Sequence, residues 1–140
     1  MSMLKNIAVR AEPYSYAALR VVAGLMFSFH GMQKILRWHA SSPTPPTLGS
    51  QIWFGGVIEL VCGLLIAIGF WTRASAFLSS GTMAVAYTQF HWKFAIAGGM
   101  WLPGVNKGEM ALLYCFLFLF IFSKGGGFAS VDDGIGNQAR

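Results

Sequence analysis

Glu59 is the residue to explain first. It stands in an apolar run, residues 55–71, that holds no other charge. A carboxylate at membrane depth is costly, so it needs a partner or a task. Six further residues could join it in binding a ligand or handling protons: His30, Lys34, Gln89, His91, Asn106 and Glu109. Imidazoles and carboxylates exchange protons, while ammonium and amide groups donate hydrogen bonds. No catalytic residue can be assigned by pattern, because phosphate-loop, dinucleotide, nucleophile-elbow and zinc motifs are all missing.

Each candidate also has a plain reading. A paired Glu59 can serve only to fix helix register. His30 can be a hydrogen-bonded core histidine. Lys34 can snorkel to lipid headgroups, and His91, beside Trp92 and Lys93, suits the membrane interface. Glu109 suits the positive end of a helix. His30, His91, Glu59 and Glu109 include metal-ligand types, but no HxxxH or ExxH spacing links them, and no metal is expected. Cys62 and Cys115 lie in separate apolar runs and read as packed thiols rather than a redox pair.

Helical spacing sharpens the grouping. Arg20, Gly24, Phe27, Gly31 and Lys34 recur at steps of three and four, which puts them on one helix face. Gly55, Glu59 and Gly63 share a face of the next helix, and the glycines would let a neighbour approach. With alternating helix directions, Lys34–Glu59 and His30–Glu59 contacts are both reasonable. Gln89, His91, Asn106 and Glu109 then fall at the same level. A cation beside Glu59 would favour its ionised form.

The elements that must position these residues follow from composition. The 140-residue chain is 55% hydrophobic and 11% charged, against about 25% charged in a soluble domain. That balance implies one domain in contact with a lipid bilayer. The net charge of +5 is spread singly, without the clustered face that nucleic acid requires, so no nucleic-acid partner is expected. The fold class is all-α, a transmembrane four-helix bundle with spans predicted at roughly 15–36, 51–71, 74–92 and 109–123. The first helix is expected to start near Pro13, and to act as its own uncleaved insertion signal. Only Thr72-Arg73 separates the second and third spans, which forces an antiparallel pair. The third carries a small-residue ridge, Ala76, Ser80, Ala84 and Thr88. The fourth is short for a span.

Two long loops, a proline-rich one after the first span and an apolar one at 93–108, lie on one side. Trp38, Trp53, Trp92 and Trp101 fall on that side, and Tyr14, Tyr16 and Trp71 on the other, as interfacial aromatics would. Arg20 and Arg73 are expected to anchor phospholipid at the inner boundary. Lys5, Arg10, Arg20, Arg73, Lys124 and Arg140 outnumber Lys34, Arg37, Lys93 and Lys107, which puts both termini in the cytoplasm. Residues 128–140 read as a polar tail.

The motifs resemble a known family. Arg20-x-x-x-Gly24-x-x-Phe27-x-x-His30-Gly31-x-x-Lys34 looks like the first span of DoxX-family membrane proteins. Glu59 with Gly63-Leu64-Leu65, then Gly69-x-x-Thr72-Arg73-x-x-Ala76, is similar to the family's second span and turn. Asn106-Lys107-Gly108-Glu109 resembles its fourth-span entry, and Gly125-x-Gly127-x-x-Ser130-x-Asp132 its tail. The resemblance implies a four-helix, multi-pass protein of the inner (plasma) membrane. It also implies an association with quinol or thiosulfate:quinone oxidoreductase activity.

Two functions stay open. In one, the protein is an accessory or quinone-interacting subunit of a membrane oxidoreductase. His30, Lys34 and Glu59 would meet the quinone, with Phe27, Tyr87, Phe90 and Tyr114 as walls. No flavin, haem or iron–sulfur pattern is evident, so electrons would come through a partner oxidoreductase subunit or a bound quinone. In the other, the protein is a non-enzymatic scaffold or a small-solute permease, the latter as a homo-oligomer.

Overall fold

A computed structural model describes residues 3–138. Arg140, counted above among the terminus-side charges, lies outside the described residues. Every described element is helical: α1 (Met3–Ile35), α2 (Gln51–Ile68), α3 (Thr72–Ala86) with a π-helical turn (Tyr87–Trp92), a 3₁₀ turn (Ala97–Gly99), α4 (Pro103–Asn106), α5 (Glu109–Lys124) and α6 (Val131–Gln138). The all-α expectation therefore holds. Among the described residues one helix, α2, is long and apolar enough by itself to cross a membrane.

α1 does not begin at Pro13; it starts at Met3 and carries the proline inside. An interior proline costs about 3 kcal/mol, and the flanking Ala, Arg, Lys and Glu residues favour helix on both sides. Glu12 pairs with Lys124, and the Tyr14 ring meets Phe128 edge-on, so contacts hold the chain through the proline.

α2 has clear ends. Ser50 Oγ accepts from the Trp53 N–H at 3.2 Å, and Gly69 closes the helix with φ +72°, a conformation glycine adopts without strain. α1 packs on α2 almost backbone to backbone. A Cβ added at Gly24 would stand 2.6 Å from the Gly63 carbonyl oxygen, and one at Gly63 would stand 2.6 Å from Ser28 N. Gly55 departs from the expectation made for it, because its open side has nothing within 4 Å. Gly56 is the residue pressed against α1, where an added Cβ would come 3.0 Å from Lys34 Cβ. The two positions are 100° apart on the helix, which spacing alone could not orient.

α3 packs chiefly on α5, and the small ridge makes part of that contact. Ala76 is fully buried, and Ser80 Oγ donates to the Cys115 carbonyl at 2.8 Å. Phe27, Ile66, Phe118 and Ile121 fill the centre.

Arg20 is not a lipid anchor, whereas Arg73 is exposed. Arg20 is completely buried, and donates to the Ile66 and Ala67 carbonyls at 2.7 and 2.6 Å and to Ala129 O at 2.9 Å. Arg73 donates to Phe122 O and Ser123 O at 2.6 and 2.8 Å. Each guanidinium satisfies carbonyls orphaned at a helix C-terminus, Arg20 on α2 and Arg73 on α5. Tyr16 is likewise a core residue whose hydroxyl donates to Gly125 O, not an interfacial ring.

The described part of the tail is structured too. Trp71, at φ +48°, supplies no side-chain cap to α3. Asp132 caps it from a distance, accepting from the Trp71 and Thr72 N–H groups at 2.9 Å each, while its own N–H donates to Gly69 O.

Candidate functional site

Lys34 Nζ donates to both Glu59 carboxylate oxygens, at 2.6 and 2.7 Å. The tight α1–α2 packing makes this possible, since Gly31 and Gly56 let Lys34 rise against α2. Of the two partners considered for Glu59, the structure pairs it with Lys34. The two sides are unequal: the Glu59 side chain is 5% exposed and that of Lys34 37%.

The pair lines a groove of about 600 Å³ between α2 and α3. Ile52, Gly55 and Ile58 form one wall; Leu78, Gly81 and Val85 form much of the other. Neither Gly55 nor Gly81 has any atom within 4 Å of where a Cβ would stand. These two glycines give the groove its width. Ile52, Phe54, Leu78 and Val85 are exposed along it.

The π-helical turn adds further polar lining. An unbroken α-helix would continue the row Leu78, Thr82, Val85 to Gln89 and Trp92. The wider turn brings Phe90 and His91 to the groove instead. π-turns within helices commonly mark functional positions. His91 Nδ1 lies 3.3 Å from the Asn106 carbonyl oxygen. A carbonyl can only accept, so Nδ1 donates, and the neutral ring keeps its lone pair on Nε2.

The remaining candidates separate. Gln51 lines the groove and donates to Gln89 Oε1 at 2.6 Å, strapping α2 to the π-turn. Asn106 is buried and organises the apolar loop, donating to Met100 O at 2.9 Å and accepting from Gly108 N at 2.7 Å. Its carbonyl reaches His91, but its side chain faces the loop. Glu109 is exposed in the first turn of α5, where its charge suits the helix dipole. His30 is half-buried on α1 and is not among the groove-lining residues. Among the described residues no three His, Cys, Asp or Glu side chains group to hold a metal. Phe27 and Tyr114 pack in the core, 5.6 Å apart by ring centroid, rather than walling the groove.

Sequence reasoning missed Gln51, Gly81 and the groove role of Gly55. The one available signal was Gly81, a glycine in the middle of a helix with no turn to make.

The DoxX family model matches residues 15–92, more than half of the chain. The protein belongs to the DoxX family. The matched region contains α2, α3, the π-turn and most of α1, and so both groove walls with Lys34, Glu59 and His91. This DoxX protein is also 38% identical over 134 residues to an uncharacterized protein of Haemophilus influenzae, covering 91% of this chain and 96% of that one. No solved structure matches. Membership makes it a membrane protein in contact with lipid.

Proposed function

We propose that this DoxX protein crosses the inner membrane four times, with both termini in the cytoplasm. Its groove would hold the headgroup of a quinone, within an accessory subunit of a membrane oxidoreductase. The spans would be the C-terminal two-thirds of α1, α2, α3 with its π-turn, and α5. Large apolar side chains exposed on each of these helices support the reading, among them Leu25, Val61, Phe77 and Phe116. α5 has 16 residues, about 24 Å of helix, and would sit where the bilayer thins.

The observation that carries the functional reading is the groove itself. It is apolar along its walls, is bordered by exposed apolar side chains, and includes Lys34–Glu59 and His91 in its lining. A quinone headgroup presents carbonyl oxygens that accept hydrogen bonds, and a quinol presents hydroxyls that donate them. Lys34 can donate to the first, and Glu59 and His91 Nε2 can accept from the second. The isoprenoid chain would leave past the exposed side chains into the acyl chains. Electrons would come from a partner subunit.

The test is extraction of quinone from the purified protein, with equilibrium binding of added quinone. Retained quinone that is lost in Glu59→Gln supports the reading. No quinone, and no binding in either protein, refutes it.

One observation favours a second reading. Lys34 already satisfies both Glu59 oxygens, as a pair that only fixes the register of α1 on α2 would do. In that scaffold, Glu59→Gln melts early while partner binding is unchanged.

A further inference from the structure

The chain between the π-turn and α5 turns large apolar side chains outward. Phe94, Ile96, Trp101, Leu102 and Val105 are all exposed, from 40% at Leu102 to 76% at Ile96. Exposed apolar side chains grouped in this way mark a surface that meets something other than water. The loop that carries them is held from within. Trp92 Nε1 donates to Ala95 O at 3.1 Å, Asn106 Nδ2 to Met100 O at 2.9 Å, and Tyr87 OH to Trp101 O at 2.7 Å. His91 Nδ1 donates to Asn106 O at 3.3 Å. Backbone turns cover further carbonyls: Leu102 O accepts from the Val105 and Asn106 N–H groups, and Pro103 O from that of Gly108.

A loop in water needs no such cover, because water satisfies its carbonyls. A backbone that enters lipid does need it, since each unpaired polar group there is costly. Lys93 and Lys107 flank the apolar residues; both are exposed, and among the described residues neither has a carboxylate partner. The His91–Asn106 bond brings the two lysines to adjoining parts of the backbone. Lysine is depleted at protein interfaces and favoured beside anionic lipid. Tryptophan collects at the same boundary.

We propose that residues 94–105 lie within the lipid leaflet on the long-loop side, as a plate seated on anionic lipid. Phe94, Ile96, Trp101, Leu102 and Val105 meet the upper acyl chains, and Lys93 and Lys107 pair with headgroup phosphates. The proposal rests on the four-span reading and not on quinone. The π-turn ends at Trp92 and α5 starts at Glu109, so both ends of the plate meet the ends of proposed spans. Tyr87 and His91 tie the plate to the π-turn. Its seating therefore fixes the height of that turn, and of His91, relative to the headgroups.

The test uses the full chain in nanodiscs of phosphatidylcholine, with and without phosphatidylglycerol. Nitroxide labels are placed at Ile96→Cys, Val105→Cys and Phe116→Cys, with Cys62 and Cys115 replaced by alanine. Collisions with oxygen, which enriches in lipid, and with a neutral nickel chelate, which stays in water, are read by spin resonance. Ile96→Cys and Val105→Cys should collide often with oxygen and several-fold less with the chelate than the free label does. Frequent chelate collisions at both overturn the proposal. Few collisions with either reagent mean that protein, a partner or a second copy, covers the plate, and also overturn it. Phe116→Cys reports the span: a label in water there refutes the four-span reading, whereas one in lipid leaves the plate to be judged alone. Phosphatidylglycerol should lower the chelate collisions at Ile96→Cys further, and Lys93→Gln/Lys107→Gln should abolish that difference. No lipid dependence with both lysines present overturns the phosphate pairing. Quenching of Trp101 by lipid brominated high on its chains, taken as the difference from Trp101→Phe, repeats the measurement with both cysteines intact; no quenching overturns the seating.

Discussion

Replacing Gly81 with leucine separates the groove from the fold. Gly81 lies inside α3 and has no atom within 4 Å of its missing Cβ. A leucine there meets open space. Glycine in a helix interior is less favourable than leucine by about 0.5–1 kcal/mol, so Gly81→Leu should melt slightly later than the unmodified protein. The same side chain stands in the groove between Leu78 and Val85 and takes the space a headgroup would use. Quinone affinity should fall at least tenfold, about 1.4 kcal/mol. Gly24→Ala is the counterpart. Its Cβ would land 2.6 Å from the Gly63 carbonyl and the Ala67 nitrogen, and such overpacking costs about 1–3 kcal/mol. Thermal melting in detergent and equilibrium quinone binding measure both effects. Early melting of Gly81→Leu would show that the wall is packed, not open. Unweakened binding in a well-folded Gly81→Leu would show that the ligand sits elsewhere.

The Lys34–Glu59 pair should respond unequally to its two halves. Lys34→Met strands a carboxylate that is 5% exposed, a loss of about 3–5 kcal/mol when a buried pair is broken. Glu59→Gln leaves a lysine that is 37% exposed and able to reach water, so it should cost about 1 kcal/mol. Lys34→Met/Glu59→Leu should restore most of the stability in a melting cycle; additive losses would argue against a direct pair. Arg20→Met removes a donor from three carbonyls; Ile66 O keeps the Gly69 N–H, but at about 1–3 kcal/mol for each buried group left unpaired the loss at Ala67 and Ala129 should prevent recovery of folded protein, read by size-exclusion chromatography. Burial pushes the Asp132 carboxyl up, but hydrogen bonds from Thr72 and Trp71 and the Arg20 charge outweigh it and hold it below its ordinary value. That stabilisation is fully present above the unfolded value of about 3.9 and is lost as pH falls through the lower folded value. Melting curves of Asp132→Asn should lack that part of the acid dependence, and identical curves would refute the cap.

Sequence alone determined several features. A lone acid in an apolar run needs a partner or a task, and the face shared by Arg20, Gly24, Gly31 and Lys34 holds two cations. Helical periodicity and the cost of burying charge are local and compositional, so both can be read from the chain. It did not choose between His30 and Lys34, four residues apart on similar sides of one helix. The choice was made when Gly31 and Gly56 set the depth at which α1 meets α2. Arg20 was misread because a cation near a predicted span end looks the same whether it meets phosphate or carbonyls. The tail returns to α2 and α3 across more than a hundred residues from Arg20, and no short-range pattern encodes that return. The π-turn is the clearest case. One wider turn after Ala86 moves His91 to the groove, and its hydrogen bond to Asn106 depends on how a loop fifteen residues away folds back. Which side of a helix is open and which is pressed depends on neighbours that tertiary packing alone supplies.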